Sequence, residues 1–145
     1  MKRALAFAVP AGLISRALGP TLPRMKPFLA ITKALADPTR LRALLSLRQG
    51  DLCLCQIVDL LEMAPSTVSK HMDLLFQAGL VERRKEGKWH FFRLAGTNAS
   101  PAVREALRWA LKSLANEPDA RADARKLRAV RKKDLEQVSA CYRTS

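Results

Sequence analysis

Two thiols one residue apart, in Asp51-Leu52-Cys53-Leu54-Cys55-Gln56-Ile57, are the side chains of this sequence best suited to chemistry. Thiolates select soft ions: As(III), Sb(III), Cd(II), Zn(II), Pb(II) or Cu(I). On a helix, residues i and i+2 point to nearly opposite sides. The pair can therefore hold one ion only if Leu52 to Cys55 is extended or if a helix starts at Cys55. The alternating Leu-Cys-Leu-Cys pattern permits an extended lead-in, and Cys55 at a helix N-terminus would gain thiolate character. Two sulfurs alone make a weak site, so Cys141 is the candidate third ligand. Three sulfurs without histidine suit a three-coordinate lone-pair ion such as As(III) better than tetrahedral zinc. The plain alternative is that small cysteines only pack. His71 and His90 are isolated, with no partner at metal-ligand spacing.

The elements around the thiols are mostly helical in pattern. Met25 to Ala36 carries Phe28, Leu29, Ile31 and Leu35 at helical spacing. Asp37-Pro38-Thr39 supplies an N-cap and a first-turn proline. The helix that follows places Leu41, Leu44, Leu45 and Leu47 on a core stripe and ends near Gly50, with Arg40, Arg42 and Arg48 on its solvated faces. Gln56 to Glu62 reads as a short helix, Met63-Ala64-Pro65 as a tight connection, and Ser66 to Ala78 as an amphipathic helix. Ser66 is placed to cap it, Val68, Met72, Leu75 and Phe76 to be buried, and Gly79 to end it. Short helix, tight turn and amphipathic helix make a helix-turn-helix.

The pattern changes period at Leu80 to Leu94, where two basic alternating segments flank Glu86-Gly87 as a β-hairpin. A basic hairpin after a helix-turn-helix is a wing, so the fold class is a winged helix-turn-helix, mainly α with a small β-hairpin. In such a fold the second helix enters the DNA major groove with its N-terminal residues foremost. Here those are Ser66, Thr67, Ser69, Lys70 and His71. Arg83, Arg84, Lys85 and Lys88 on the wing suit phosphate or minor-groove contacts, which position a protein without reading sequence. Trp89, Phe91 and Phe92 serve to pack the wing on the domain.

Charge agrees with that reading. The 145 residues carry a formal net charge of +13, which favours a polyanionic partner. Double-stranded DNA is the expected one. Three cysteines are too few and too odd in number for a disulfide framework, so a reducing cytoplasm is expected. No apolar run long enough to span a membrane is present. No nucleophile–base or carboxylate pair emerges, so an enzyme is not expected. Residues 1–24 superficially resemble a secretory signal, but Pro10 and Gly12 break the apolar run and Arg16 follows closely. They read as a disordered N-terminal extension whose translation the sequence leaves open, since Met25 opens the first helical pattern. Residues 25–115 are the winged helix-turn-helix and dimerisation domain. Pro101 to Ala115, capped by Ser100, has an apolar face too extensive for one small domain, so a homodimer is expected. A two-fold dimer sets two recognition helices about 34 Å apart on a palindromic operator. Residues 116–145, helical from Asp119 to Gln137 with a thin stripe at Leu127, Val130, Leu135 and Val138, form a C-terminal tail carrying Cys141.

From Lys33 to Leu94 the sequence resembles the ArsR/SmtB family of metalloregulatory repressors. The resemblance rests on Ala36-Asp37-Pro38-Thr39-Arg40-Leu41, Asp51-Leu52-Cys53-Leu54-Cys55, Ala64-Pro65-Ser66-Thr67-Val68-Ser69-Lys70-His71, Ala78-Gly79-Leu80-Val81 and Arg84-Lys85-Glu86-Gly87-Lys88-Trp89. It implies a dimeric repressor that leaves its operator when metal binds. The cysteine box is similar to that of the arsenite-responsive branch, which implies As(III) or Sb(III) as inducer, no permanent cofactor, and control of arsenic-resistance genes. Two departures stand out. Some arsenite repressors carry a third cysteine soon after the pair, where this chain has Val58 and its neighbours. The cadmium/lead branch adds N-terminal cysteines, and none precedes Cys53. The family's zinc site on the dimer helix is absent, because residues 101–115 hold no histidine. Other readings are a thiol-redox or Cd/Pb/Zn-responsive repressor of the same fold, or an architectural DNA-binding protein without a ligand.

Overall fold

The computed structural model describes residues 25–143, with side chains described as far as Ala140. The reading of residues 1–24 therefore lies outside the described residues. Helix α1 covers residues 25–35. Helix α2, Pro38–Ser46, starts as expected: the Asp37 carboxylate accepts from the Arg40 amide at 3.0 Å and Pro38 opens the first turn. A single 3₁₀ turn, Leu47–Gln49, continues it to Gly50. Strand β1 is only Leu52–Cys53, and helix α3, Leu54–Leu61, follows without a connecting residue.

Helix α4, Pro65–Gln77, completes the helix-turn-helix. Two details differ from expectation. Ala64 occupies the cap position and Pro65 the first turn, so Ser66 lies inside the helix and does not cap it. Phe76 is exposed, with the Arg83 guanidinium 4.4 Å from its ring centre, whereas Val68, Met72 and Leu75 are buried. The exit is a Schellman arrangement: the Leu80 amide donates to Leu75 and the Gly79 amide to Phe76, with Gly79 at φ +77°. That left-handed conformation is the reason for a glycine there.

Strands β2 (Val81–Glu86) and β3 (Trp89–Leu94) form the hairpin. Their register, Glu86 opposite Trp89, leaves Gly87-Lys88 as the two-residue loop, one position later than the sequence suggested. Gly87 takes φ +56°, as a tight hairpin turn needs at its first position. Strand β1 pairs with the free side of β3, Leu52 opposite Phe92 and Cys53 opposite Phe91, giving the order β1-β3-β2. The pleat then sorts the side chains. Leu52 and Phe92 enter the main core, while Cys53 packs in a separate cluster with Cys55, Trp89 and Phe91.

Helix α5 covers Pro101–Ser113, with the Ser100 hydroxyl accepting from the Val103 amide. The segment read as one charged helix to Gln137 is two helices, α6 (Pro118–Lys132) and α7 (Leu135–Arg143), broken at Lys133-Asp134. Helix α6 is built into the domain. Leu127 and Val130 join the main core, and its polar side chains clamp the helix-turn-helix. Arg42 forks onto Asp123 at 2.7 and 2.8 Å, Lys126 reaches the Leu60 carbonyl at 2.9 Å, and Lys133 meets Asp59 at 2.8 Å. A cation on the last carbonyls of α3 also opposes that helix's dipole. Arg40, read as solvated, is half-buried and caps α1 through the carbonyls of Ala34 and Lys33. Asp123 is buried while Arg42 is about one-third exposed, so the pair lies between surface and interior in strength. Replacing Asp123 by Ala should cost about 2 kcal/mol in urea unfolding, with faster amide exchange in α6 and α7. A change within about 0.5 kcal/mol would show that the clamp does not hold these helices.

Candidate thiol and DNA-binding site

Cys53 belongs to two elements at once. Its backbone is extended (φ −67°, ψ 149°), ending β1, and it is also the N-cap of α3. The Gln56 side chain closes a capping box by accepting from the Cys53 amide at 2.9 Å, the reciprocal arrangement that satisfies otherwise orphaned donors. Cys55 lies in the first turn. The extended lead-in thus defeats the opposed orientation a continuous helix would impose, and the two sulfurs stand 2.9 Å apart, both buried. Bonds of about 2.3 Å to sulfur need a bite of roughly 3.8 Å at a tetrahedral angle and roughly 3.3 Å at a right angle. The observed separation is shorter than either, so an ion bound by both sulfurs would spread them. Among the described residues no group of three or more histidine, cysteine or carboxylate side chains could hold a metal ion.

The pair shares its protons unequally. The Cys53 thiol is lowered from its ordinary 9.0 to about 7, chiefly because Cys55 donates to it and further because the first amides of α3 point at it, against the opposing effect of burial. Cys55 is pushed well up, because its proton is held by Cys53 and because it is buried beside that charge. Helix-start thiolate character therefore belongs to Cys53, where the sequence reading gave it to Cys55. Helix α7 lies over the pair through Val138 and Leu135. Cys141 belongs to the same helix, three residues beyond Val138, and its side chain lies outside the described residues.

The predicted DNA-binding residues fall into two groups. Ser66, Thr67, Ser69 and Lys70 line the first turns of α4, with Ser66 and Lys70 exposed and Thr67 and Ser69 half-buried. His71 turns away from them: it is half-buried, with Nδ1 3.3 Å from an Arg40 nitrogen and 3.9 Å from Asp37. It ties α4 to the start of α2. On the wing, Arg83 is bonded to Asp73 at 3.1 Å. Arg84 is bonded to Asp51 and Glu86 and lies 4.7 Å from the Phe91 ring centre. Lys88 meets Glu136 of α7 at 2.6 Å. Lys85 is exposed, and among the described residues it makes no ion pair. The wing cations thus connect the hairpin to the segment before the thiols and to the helix above them. No sequence signal marked Asp51 or Glu136 for this, since their partners are 33 and 48 residues away.

The family described as "Bacterial regulatory protein, arsR family" matches residues 37–83. An uncharacterized HTH-type transcriptional regulator of Methanocaldococcus jannaschii is 39% identical over 75 residues, which is 51% of this chain and 84% of that protein. The chain belongs to the ArsR family. The arsenical resistance operon repressor of Escherichia coli K12 is 42% identical over 64 residues, 43% of this chain and 55% of the repressor. The chain therefore spans little more than half of that repressor's length. Among solved structures, a homodimeric winged helix-turn-helix DNA-binding domain of Mycobacterium bovis, a possible ArsR-family transcriptional regulator, superposes with a TM-score of 0.56 at 28% identity. It covers 68% of this chain and 87% of its own. The winged helix-turn-helix expected from sequence is thus the fold of this ArsR-family chain. Among the described residues no helix is long and apolar enough to cross a membrane.

In Cys141→Ser protein, which leaves only this pair, ultraviolet thiolate absorbance should rise as pH increases through about 7. One thiolate per chain should form there, the second staying protonated past pH 9. A single step near 9 for both thiols would contradict the shared-proton arrangement.

Proposed function

We propose that this ArsR-family chain is a transcriptional repressor that binds a palindromic operator as a homodimer and is released when As(III) or Sb(III) binds Cys53 and Cys55, with Cys141 as the third thiolate. One observation carries the reading: two sulfurs 2.9 Å apart at the joint between a strand paired with the wing and the first helix of the helix-turn-helix. An ion drawing these sulfurs to its own bond angles moves the cap of α3 and the edge of β3 together. Helical spacing puts position 141 one turn beyond Val138, which packs on the pair. The arsenical-resistance repressor of E. coli among the relatives agrees with arsenic as the inducer. Arsenite titrated into a complex with labelled operator should weaken binding by over a hundredfold, a coupling of about 3 kcal/mol. Unchanged affinity at saturation would sink the reading. Serine at Cys53 or Cys55 should abolish the response and leave DNA affinity intact. A full response in Cys141→Ser would remove the third ligand. The close sulfur pair also favours a redox input as second reading, and release by oxidant without release by arsenite would select it.

The homodimer has its own observation. Trp109 of α5 is 69% exposed and Phe28 of α1 59% exposed. A cleft of about 390 Å³ runs between α1, α2 and α5, walled by Leu35, Leu41, Trp109 and Leu114. Apolar exposure of this kind marks an interaction surface, and a two-fold partner covers it with the same surface of its own. The sequence reading assigned this face to α5 alone; Met25, Phe28 and Leu29 of α1 extend it. Trp109→Glu should sediment as a monomer and lose most of its operator affinity. A dimer of unchanged stability would place the interface elsewhere.

A further inference from the structure

Helix α6 sorts its charges by face. Its two acidic residues, Asp119 and Asp123, both act on Arg42 of α2. Two of its cations are used within the fold: Lys126 bonds the Leu60 carbonyl and the Glu62 carboxylate, and Arg131 bonds the Gly50 carbonyl. The face turned away from the buried Asp123, Leu127 and Val130 carries Arg125, Arg128 and Lys132, all exposed. Their spacing, i, i+3 and i+7, sets them in one row. Arg121 extends the row by a turn, with its guanidinium on the neutral side chain of Asn116. Among the described residues the side chains of Arg125, Arg128 and Lys132 make no ion pair and no hydrogen bond. Like charges at these spacings destabilise a helix, and nothing described in the fold offsets that cost. Arg83, Arg84 and Lys88 of the wing, by contrast, each face a carboxylate.

We propose that this row is a second, sequence-independent contact surface for the phosphate backbone of duplex DNA, separate from α4 and the wing. From Arg125 to Lys132 the helix rises roughly 10 Å at about 1.5 Å per residue. That is about three base steps of one DNA strand at roughly 3.4 Å each. Two of the three cations are arginines, whose forked guanidinium matches a pair of phosphate oxygens. No large apolar side chain of α6 is exposed. The row therefore lacks the apolar face that a membrane-surface helix inserts and the buried anchors on which protein partners depend. Asp123 and Lys126 clamp the helix onto α2 and α3, so the row keeps a fixed place relative to the helix-turn-helix. Contacts of this kind add affinity for any duplex without adding base selection. The inference uses only the DNA binding of the winged helix-turn-helix and is independent of release by arsenite.

The test uses the full-length protein and a labelled random-sequence duplex of roughly 40 base pairs, titrated by fluorescence anisotropy between about 50 and 200 mM salt. Replacing Arg125, Arg128 and Lys132 together by Gln should flatten the log–log salt dependence by about two to three per bound chain, at ~0.9 per phosphate. Affinity near 0.1 M salt should fall at least about tenfold. Each single Arg125→Gln or Arg128→Gln change should lower the slope by about one. The charge-conserving set Arg125→Lys, Arg128→Lys and Lys132→Arg should restore the parent slope. Neutralising Lys26, Arg48 and Lys112 instead, which are also exposed, removes the same charge from other helices and the 3₁₀ turn and should leave the slope within about 0.5 of the parent. A triple Gln variant with the parent slope, an equal loss in the control set, or no rescue by the charge-conserving set would overturn the proposal. So would binding to phosphatidylserine vesicles that the triple variant abolishes while its DNA affinity stays unchanged, which would assign the row to a lipid surface.

Discussion

The constraint on which the molecule depends is the double duty of Cys53. Its backbone closes a two-residue strand paired with β3, while its amide and sulfur form the capping box of the helix that begins at the next residue. Strand pairing permits no one-residue slip, because a slip would exchange the faces on which Leu52 and Cys53 lie. Leu52 is fully buried in the main core, so the register is fixed by burial. The sulfur of Cys53 is thereby held on the opposite face, beside Cys55 and under α7. Helix start, thiol geometry and wing edge are one mechanical unit.

The rest of the chain braces that unit from behind. Helix α6 lies across α2 and α3 with Leu127 and Val130 in the core; its Asp123 accepts from Arg42 of α2, its Lys126 donates to the Leu60 carbonyl, and Lys133 just past its end donates to Asp59 of α3. The turn between α3 and α4 is tight: Glu62 sits at φ +55°, a conformation that costs a non-glycine residue some free energy. Lys126 bonds both the Glu62 carboxylate and the Leu60 carbonyl at 2.9 Å. A strained turn held by a cation from another helix keeps the angle between α3 and α4 set from outside the motif. The wing and α7 are the two elements that meet the thiol pair from outside the helix-turn-helix.

Local signals were legible in the sequence, and long-range ones were not. Asp37-Pro38 and Ser100-Pro101 announced their helices because cap and first-turn proline act within four residues. Gly79 announced its exit for the same reason. Ser66 misled because a hydroxyl near a helix start looks like a cap, and the proline before it moved the start by two residues. The break at Lys133-Asp134 carries no glycine or proline, so periodicity ran through it. Arg42 looked like surface because its partner, Asp123, is 81 residues away. The thiol pair itself was legible, including the extended lead-in it requires. Which thiol is ionised was not, because that depends on which sulfur receives the other's proton and the helix amides.

The wing's carboxylate partners bear on how its charge can be spent. Arg83, Arg84 and Lys88 each face a carboxylate in the free protein. A phosphate that takes such a cation must displace Asp73, Asp51 or Glu136 instead of meeting an open charge. The salt dependence of DNA binding reflects the counterions a duplex sheds as its phosphates are neutralised. Where protein carboxylates are set free at the same moment, they recruit cations from solution and cancel part of that release. The chain's large positive charge therefore overstates the ionic driving force that its wing could contribute to binding a duplex.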